Sequence, residues 1–135
     1  MTNREKIKYL SQYDNLSLEY KLAYNKYIEL IEKFNSPGAG AQLLSFAPTG
    51  GDCGNPIEHE YFRILMLESI LQNCMKKLND IYTIVLALED PMHRTVMRLR
   101  YIDGLSWVKI CSEINYEWAW THRIHSSALQ HILLE

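Results

Sequence analysis

The chain has 135 residues, 47% of them apolar and 22% charged, with a formal net charge of −2 at pH 7. That length holds one domain, or a small domain with an extended helical element, and the apolar share excludes disorder throughout. The charge balance excludes a non-specific DNA coat protein, which needs a basic surface.

In chain order, the N-terminus MTNREKIKYL is charged and no apolar run follows it, so no signal peptide is expected. From about residue 4 to 34, Leu10, Tyr13, Tyr20, Tyr24, Tyr27, Ile31 and Phe34 form a seam whose steps alternate three and four once Ser17 fills its one polar slot. That is the period of a helix packed on a helix, and Leu16, Ala23, Ile28 and Leu30 widen it. Residues 35–56 break the pattern, with five of the six glycines and three of the four prolines. This stretch reads as a connector carrying one apolar island, QLLSF. Its Gly-Gly pair lacks the Lys-Ser/Thr of a phosphate-binding loop. From about 57 to 88, Ile64, Leu67, Leu71, Cys74, Leu78, Ile81, Val85 and Leu88 repeat at three and four without a miss. Two such helices joined by a loop pack most simply as an antiparallel hairpin. Both seams are broad, and the leftover apolar surface predicts a homodimer closing a four-helix bundle. The apolar run at 81–88 is far too short to span a bilayer. Cys53, Cys74 and Cys111 form no close pair, which predicts reduced thiols in a cytoplasm.

The last third punctuates itself into three short helices. Asp90-Pro91 is a helix start, with Asp as N-cap and Pro at the first helical position. Asp103-Gly104 is a stop. Ser106 is a second N-cap, opening a helix over Trp107–Ile114, and Asn115-Tyr116 is a turn in which Asn suits a left-handed backbone. A third helix follows from about 117 to 134. The expected fold is therefore all-α: a helical hairpin over 1–89, then a three-helix helix-turn-helix domain over 90–135.

At these residues the sequence resembles a known family. RTVMRLRYIDGLSWVKICSEINY followed by THRIHSSALQHIL looks like the promoter-reading region 4 domain of sigma-70-type sigma factors. In layout the whole chain resembles small Gram-positive phage and prophage transcriptional regulators of the RinA/ArpU type, most specifically at the W-x-x-R-I-H-x-x-A-L pattern of residues 120–129. The resemblance implies a DNA-binding regulator in a bacterial host cytoplasm, with double-stranded DNA and RNA polymerase as partners. Thr121, Ile124, Ala128 and Ile132 match the apolar positions of the recognition helix. The opposite face then carries the DNA-binding candidates Trp118, Ala119, His122, Arg123 and Ser126, with Ser106 placed to meet a phosphate at a helix N-terminus. Arg123 suits a bidentate contact to guanine, His122 and Ser126 suit bases or phosphates, and Ala119 and Trp118 suit a thymine methyl. Trp120 falls between the faces, as a core or interface residue, and Cys111 falls at a close helix crossing.

Three positions depart from the family pattern: Lys109 replaces Glu, Asn115 replaces Gly, and Glu117 stands where Ser or Thr would cap the recognition helix. Charge restrains the reading further. Residues 90–135 carry Arg94, Arg98, Arg100, Lys109 and Arg123 against Asp90, Asp103, Glu113, Glu117 and Glu135, a net of zero. Phosphate neutralisation supplies most non-specific affinity, so a monomer should hold DNA weakly. A dimer reading two half-sites, or RNA polymerase holding the domain in place, would compensate. His122, His125 and His131 lie at spacings that put them on different faces, so no metal site is expected. No nucleophile, base or cofactor constellation is present, so neither an enzyme nor a bound small-molecule substrate or cofactor is expected. Two other classes fit the same features: a DNA-packaging adaptor of the small-terminase kind, and an interaction module that has lost DNA binding.

Overall fold

The computed structural model describes residues 1–35 and 56–133. The chain is all-helical: α1 (Asn3–Asn35), α2 (Pro56–Leu86), α3 (Pro91–Met97), α4 (Trp107–Ile114) and α5 (Trp118–His131), with a π-helical turn, Arg98–Ile102, following α3. Among the described residues there is no strand, and no helix is long and apolar enough to cross a membrane. Asn35 closes α1 and Pro56 opens α2. The connector between them, with its QLLSF island and Cys53, lies outside the described residues.

Local chemistry accounts for the helix starts. At α1 the Thr2 hydroxyl accepts from the Glu5 amide at 3.2 Å while the Glu5 carboxylate accepts from the Thr2 amide at 2.9 Å. This is a reciprocal capping box that the seam pattern alone does not reveal. At α3 the Asp90 carboxylate accepts from the Met92 amide at 2.8 Å, with Pro91 at the first position. That amide holds the Asp90 carboxyl below its ordinary value, despite some desolvation. The π-helical turn was not expected. The Asp103 amide reaches back to the Arg98 carbonyl at 2.9 Å, and the Leu105 amide to the Leu99 carbonyl at 3.0 Å. Gly104 then takes φ +70, the left-handed conformation its position predicts.

The chain divides into two compact units, one of Met1–Ser17 with Lys76–Glu135, the other of Leu18–Met75. In the first, Leu10 of α1 and Ile81, Val85 and Leu88 share one core with Met97, Tyr101, Ala128, Leu129 and Ile132. The expected division after residue 89 follows motif content; the packing joins residues on both sides of it. Two polar contacts fasten this unit. Lys6 donates from Nζ to the Leu129 carbonyl at 2.7 Å, near the end of α5, where the same oxygen also accepts from the Ile132 amide at 3.2 Å. Arg94 donates to the carbonyls of Leu88 (2.9 Å) and Glu89 (3.3 Å), closing the chain that leaves α2.

In the second unit Leu30, Ile64 and Cys74 are buried, and the Tyr27 hydroxyl donates to Glu68 Oε1 at 3.0 Å. That hydrogen bond is the main reason the Tyr27 phenol titrates above its ordinary value. Tyr20 and Tyr24 stack with ring centroids 6.0 Å apart. Much of the unit's apolar surface stays in water: Leu18, Leu22, Tyr61, Phe62, Leu65 and Met66 are all exposed.

Candidate nucleic-acid interface

The C-terminal helices set out a surface whose order follows from their caps. Ser106 accepts from the Lys109 amide at 3.3 Å and starts α4. Asn115 ends it with φ 59 and ψ 39, and the Tyr116 amide returns to the Cys111 carbonyl at 3.3 Å. This single left-handed residue reverses the chain into α5. Glu117 occupies the N-cap of α5 with an extended backbone and makes no side-chain capping hydrogen bond. Glutamate is too long to fold back as Ser or Asp does.

α4 and α5 meet where Cys111 Sγ lies 3.4 Å from Thr121 Oγ1, with Ile110 fully buried nearby in α4. Cys111 is half-buried in this crossing. Thr121, Ile124, Ala128 and Ile132 are all buried, as their spacing predicts, and His125 and Leu129 join them. Trp118, Ala119, Arg123 and Ser126 are exposed, and Ser106 is exposed on α4. At roughly 100° per residue, the five α5 candidates from Trp118 to Ser126 fall within an arc of about 140°. The structure therefore brings four of them together as an open face.

His122 differs from the rest. It is half-buried, with its ring centroid 4.5 Å from Trp107 and 4.4 Å from Trp118. Trp107 also packs edge-on against His125 at 4.7 Å, and the Arg100 guanidinium lies 4.7 Å above its ring. His125 in turn pairs with the buried Tyr101 hydroxyl at 2.6 Å. Burial, helped by the nearby His122 and Arg100, pushes the His125 pKa down to about 4. Burial likewise raises Tyr101 to about 12, partly offset by Arg100. Both are neutral at pH 7.

No family model, curated protein or solved structure matches this chain. The site is therefore weighed on its own chemistry.

Of the five cations between residues 90 and 135, two are committed internally. Arg94 bonds the carbonyls behind α2, and Arg100 donates to the Leu105 carbonyl at 3.1 Å while covering Trp107. Arg98, Lys109 and Arg123 remain exposed. Glu113 and Glu117 are exposed as well. The surface is thus aromatic rather than basic. Tyr116 and Trp120 add to it, their rings 6.3 Å apart beside a groove that Met92 and Arg123 also line. Trp120 is half-exposed there, a rim position and not a core one.

Of the three histidines of α5, His122 and His125 share Trp107 as a neighbour, whereas His131 bonds the Ser127 carbonyl at 2.8 Å and lies against His93. Among the described residues no three metal-ligating side chains converge. Sequence reasoning missed Trp107, Tyr101, Arg100 and the role of His125. A signal for them exists: Trp118, His122 and His125 stand at i, i+4 and i+7, an aromatic stripe that needs a ring partner from another helix.

Proposed function

We propose that the chain is a sequence-specific DNA-binding transcriptional regulator of the phage and prophage RinA/ArpU-like kind, with a sigma-70 region 4-like helix-turn-helix over residues 90–135. One observation carries the reading. A capped α4, a left-handed turn at Asn115 and an α5 buried on one side leave Trp118, Ala119, Arg123 and Ser126 open on the other. In this reading α5 enters the major groove, and Arg123 donates two hydrogen bonds to guanine O6 and N7. The amide groups at the start of α4, with the Ser106 hydroxyl, meet a phosphate and set the register.

Three exposed cations give one such domain little hold on the phosphate backbone. We propose that α1 and α2 form an antiparallel hairpin that supplies the missing affinity by pairing two copies. Its support is the order of the contacts: Tyr27 meets Glu68, whereas Leu10 shares a core with Ile81 and Val85. The exposed Leu18, Leu22, Phe62, Leu65 and Met66 offer apolar surface for a second copy. RNA polymerase is the other partner that the sigma-like resemblance suggests. The reading involves no enzymatic chemistry, cofactor or small-molecule substrate, and it places the protein in a bacterial cytoplasm.

A second reading, an interaction module without DNA binding, is favoured by the uncapped Glu117 and by the aromatic surface of Tyr116, Trp118 and Trp120. Selection of bound duplexes from a random pool separates the two. A shared motif with wild type that Arg123→Ala loses supports the regulator, and no enrichment by either protein supports the interaction module. Native mass completes the test, since a dimer fits regulation and a ring of many subunits fits a DNA-packaging adaptor.

A further inference from the structure

We infer that His122 does not itself read DNA but positions Trp118, and that the indole of Trp118 reads a thymine methyl at the N-terminal end of α5. The inference rests on the proposal that α5 enters the major groove. Its basis is a continuous run of rings from the core to the surface. Tyr101 holds His125 at 2.6 Å, His125 abuts Trp107 at 4.7 Å, and Trp107 and Trp118 enclose the His122 ring at 4.5 and 4.4 Å.

The contacts are inclined, at 76° between Trp107 and His125, 52° between Trp107 and His122, and 66° between His122 and Trp118. Inclined rings place a positive edge against a negative face, the arrangement that aromatic pairs prefer. Arg100 lies over Trp107, the middle ring of the run.

Trp118 is the first residue of α5. No preceding helical turn restricts its side chain, and the residue is 53% exposed. The imidazole of His122, one turn on, packs against it at 4.4 Å. An ordered indole loses little freedom on binding, and its ring carbons, unlike its N–H donor, gain little from polar base edges. Thymine is the exception, since its methyl group is the one apolar feature of the major groove. His122, by contrast, packs its ring against two tryptophans and is half-buried.

The test compares wild type with Trp118→Ala, His122→Ala, His122→Phe and Arg123→Ala. In the free protein, the heteronuclear NOE of the Trp118 indole N–H should fall in His122→Ala and hold in His122→Phe, which keeps a ring at the position. This measurement needs no DNA. On the selected duplex, replacing the relevant thymine by deoxyuridine removes only the methyl. Wild type and His122→Phe should then bind about four-fold more weakly, the equivalent of ~0.8 kcal/mol for one buried methyl. Trp118→Ala and His122→Ala should be indifferent to the change, and Arg123→Ala should remain sensitive to it.

Loss in His122→Phe of a base preference that Trp118→Ala retains would make His122 a reader and overturn the inference. An unchanged Trp118 NOE in His122→Ala would overturn it as well. If wild type selects no duplex, the DNA-reading proposal itself fails. If wild type selects a motif that depends on Arg123 but ignores the thymine methyl, the inference alone fails.

Discussion

The Tyr101 hydroxyl and His125 Nε2 face each other at 2.6 Å inside the first unit, both residues buried. One donates and the other accepts, so removing either strands a polar atom away from water. Tyr101→Phe and His125→Leu should each cost about 1–3 kcal/mol. The double variant should cost clearly less than the sum of the two, because no unpaired group remains. A urea double-mutant cycle measures this coupling; strictly additive losses would show that the pair is not a functional hydrogen bond.

The same pair gives stability a pH dependence. His125 titrates at about 4 when folded, against 6.5 for the free side chain, chiefly because burial disfavours its charged form. Between those values the unfolded chain takes up a proton that the folded chain refuses. Stability therefore falls as pH drops from above 6.5 and levels off below about 4. The loss is limited to about 3 kcal/mol, at 1.36 kcal/mol per unit of separation. Urea midpoints at pH 7.5 and 4.5 should show a decline in wild type that His125→Leu reduces, other carboxylates contributing equally to both proteins.

Much of this architecture is legible in the sequence because caps and seams are local signals. Asp90, Pro91, Gly104, Ser106 and Asn115 each take the role that their backbone chemistry dictates. Ile64, Cys74, Ile81, Val85 and Leu88 are buried as their spacing requires, with Leu67, Leu71 and Leu78 half-buried. What escaped depends on partners distant in sequence. The π-helical turn at Arg98–Ile102 carries no distinctive residue. Arg94 and Arg100, which the sequence shows only as two cations in the charge balance, are bound to backbone carbonyls. Of the site residues, the open face of α5 and the Trp118–His122 pairing follow from periodicity, but nothing in the spacing names Trp107 as the ring that α4 supplies.

Two left-handed residues make a matched pair of tests. Asn115 sits at φ 59 and ψ 39, and Gly104 at φ +70. Asn115→Ala should destabilise by about 1 kcal/mol, while Asn115→Gly should be neutral or slightly stabilising. Gly104→Ala should cost about 1–2 kcal/mol from backbone strain. Its new methyl would meet Asp14 Oδ1 on α1 at 3.4 Å, an ordinary van der Waals contact. Adding Asp14→Ala should therefore leave the backbone penalty in place. Thermal unfolding of the four variants ranks these effects, and an unperturbed Gly104→Ala would contradict the left-handed turn.

Glu117 offers a prediction in the opposite direction, a gain. It holds the N-cap of α5 without making a capping bond, and its charge lies at the end of the helix proposed to enter DNA. Glu117→Ser supplies an oxygen short enough to accept from an amide of the first turn. It should stabilise the protein by about 1 kcal/mol, seen as a rise of a few degrees in Tm. It should also tighten DNA binding several-fold at low salt by removing a repulsion from phosphate, with the advantage shrinking as salt rises. Glu117→Gln divides the two effects, since it removes the charge and provides no good cap: affinity should rise while Tm stays near wild type. If Glu117→Ser gained stability and neither variant gained affinity, the start of α5 would lie away from the phosphate backbone, and the groove-entering orientation of this helix would have to be abandoned.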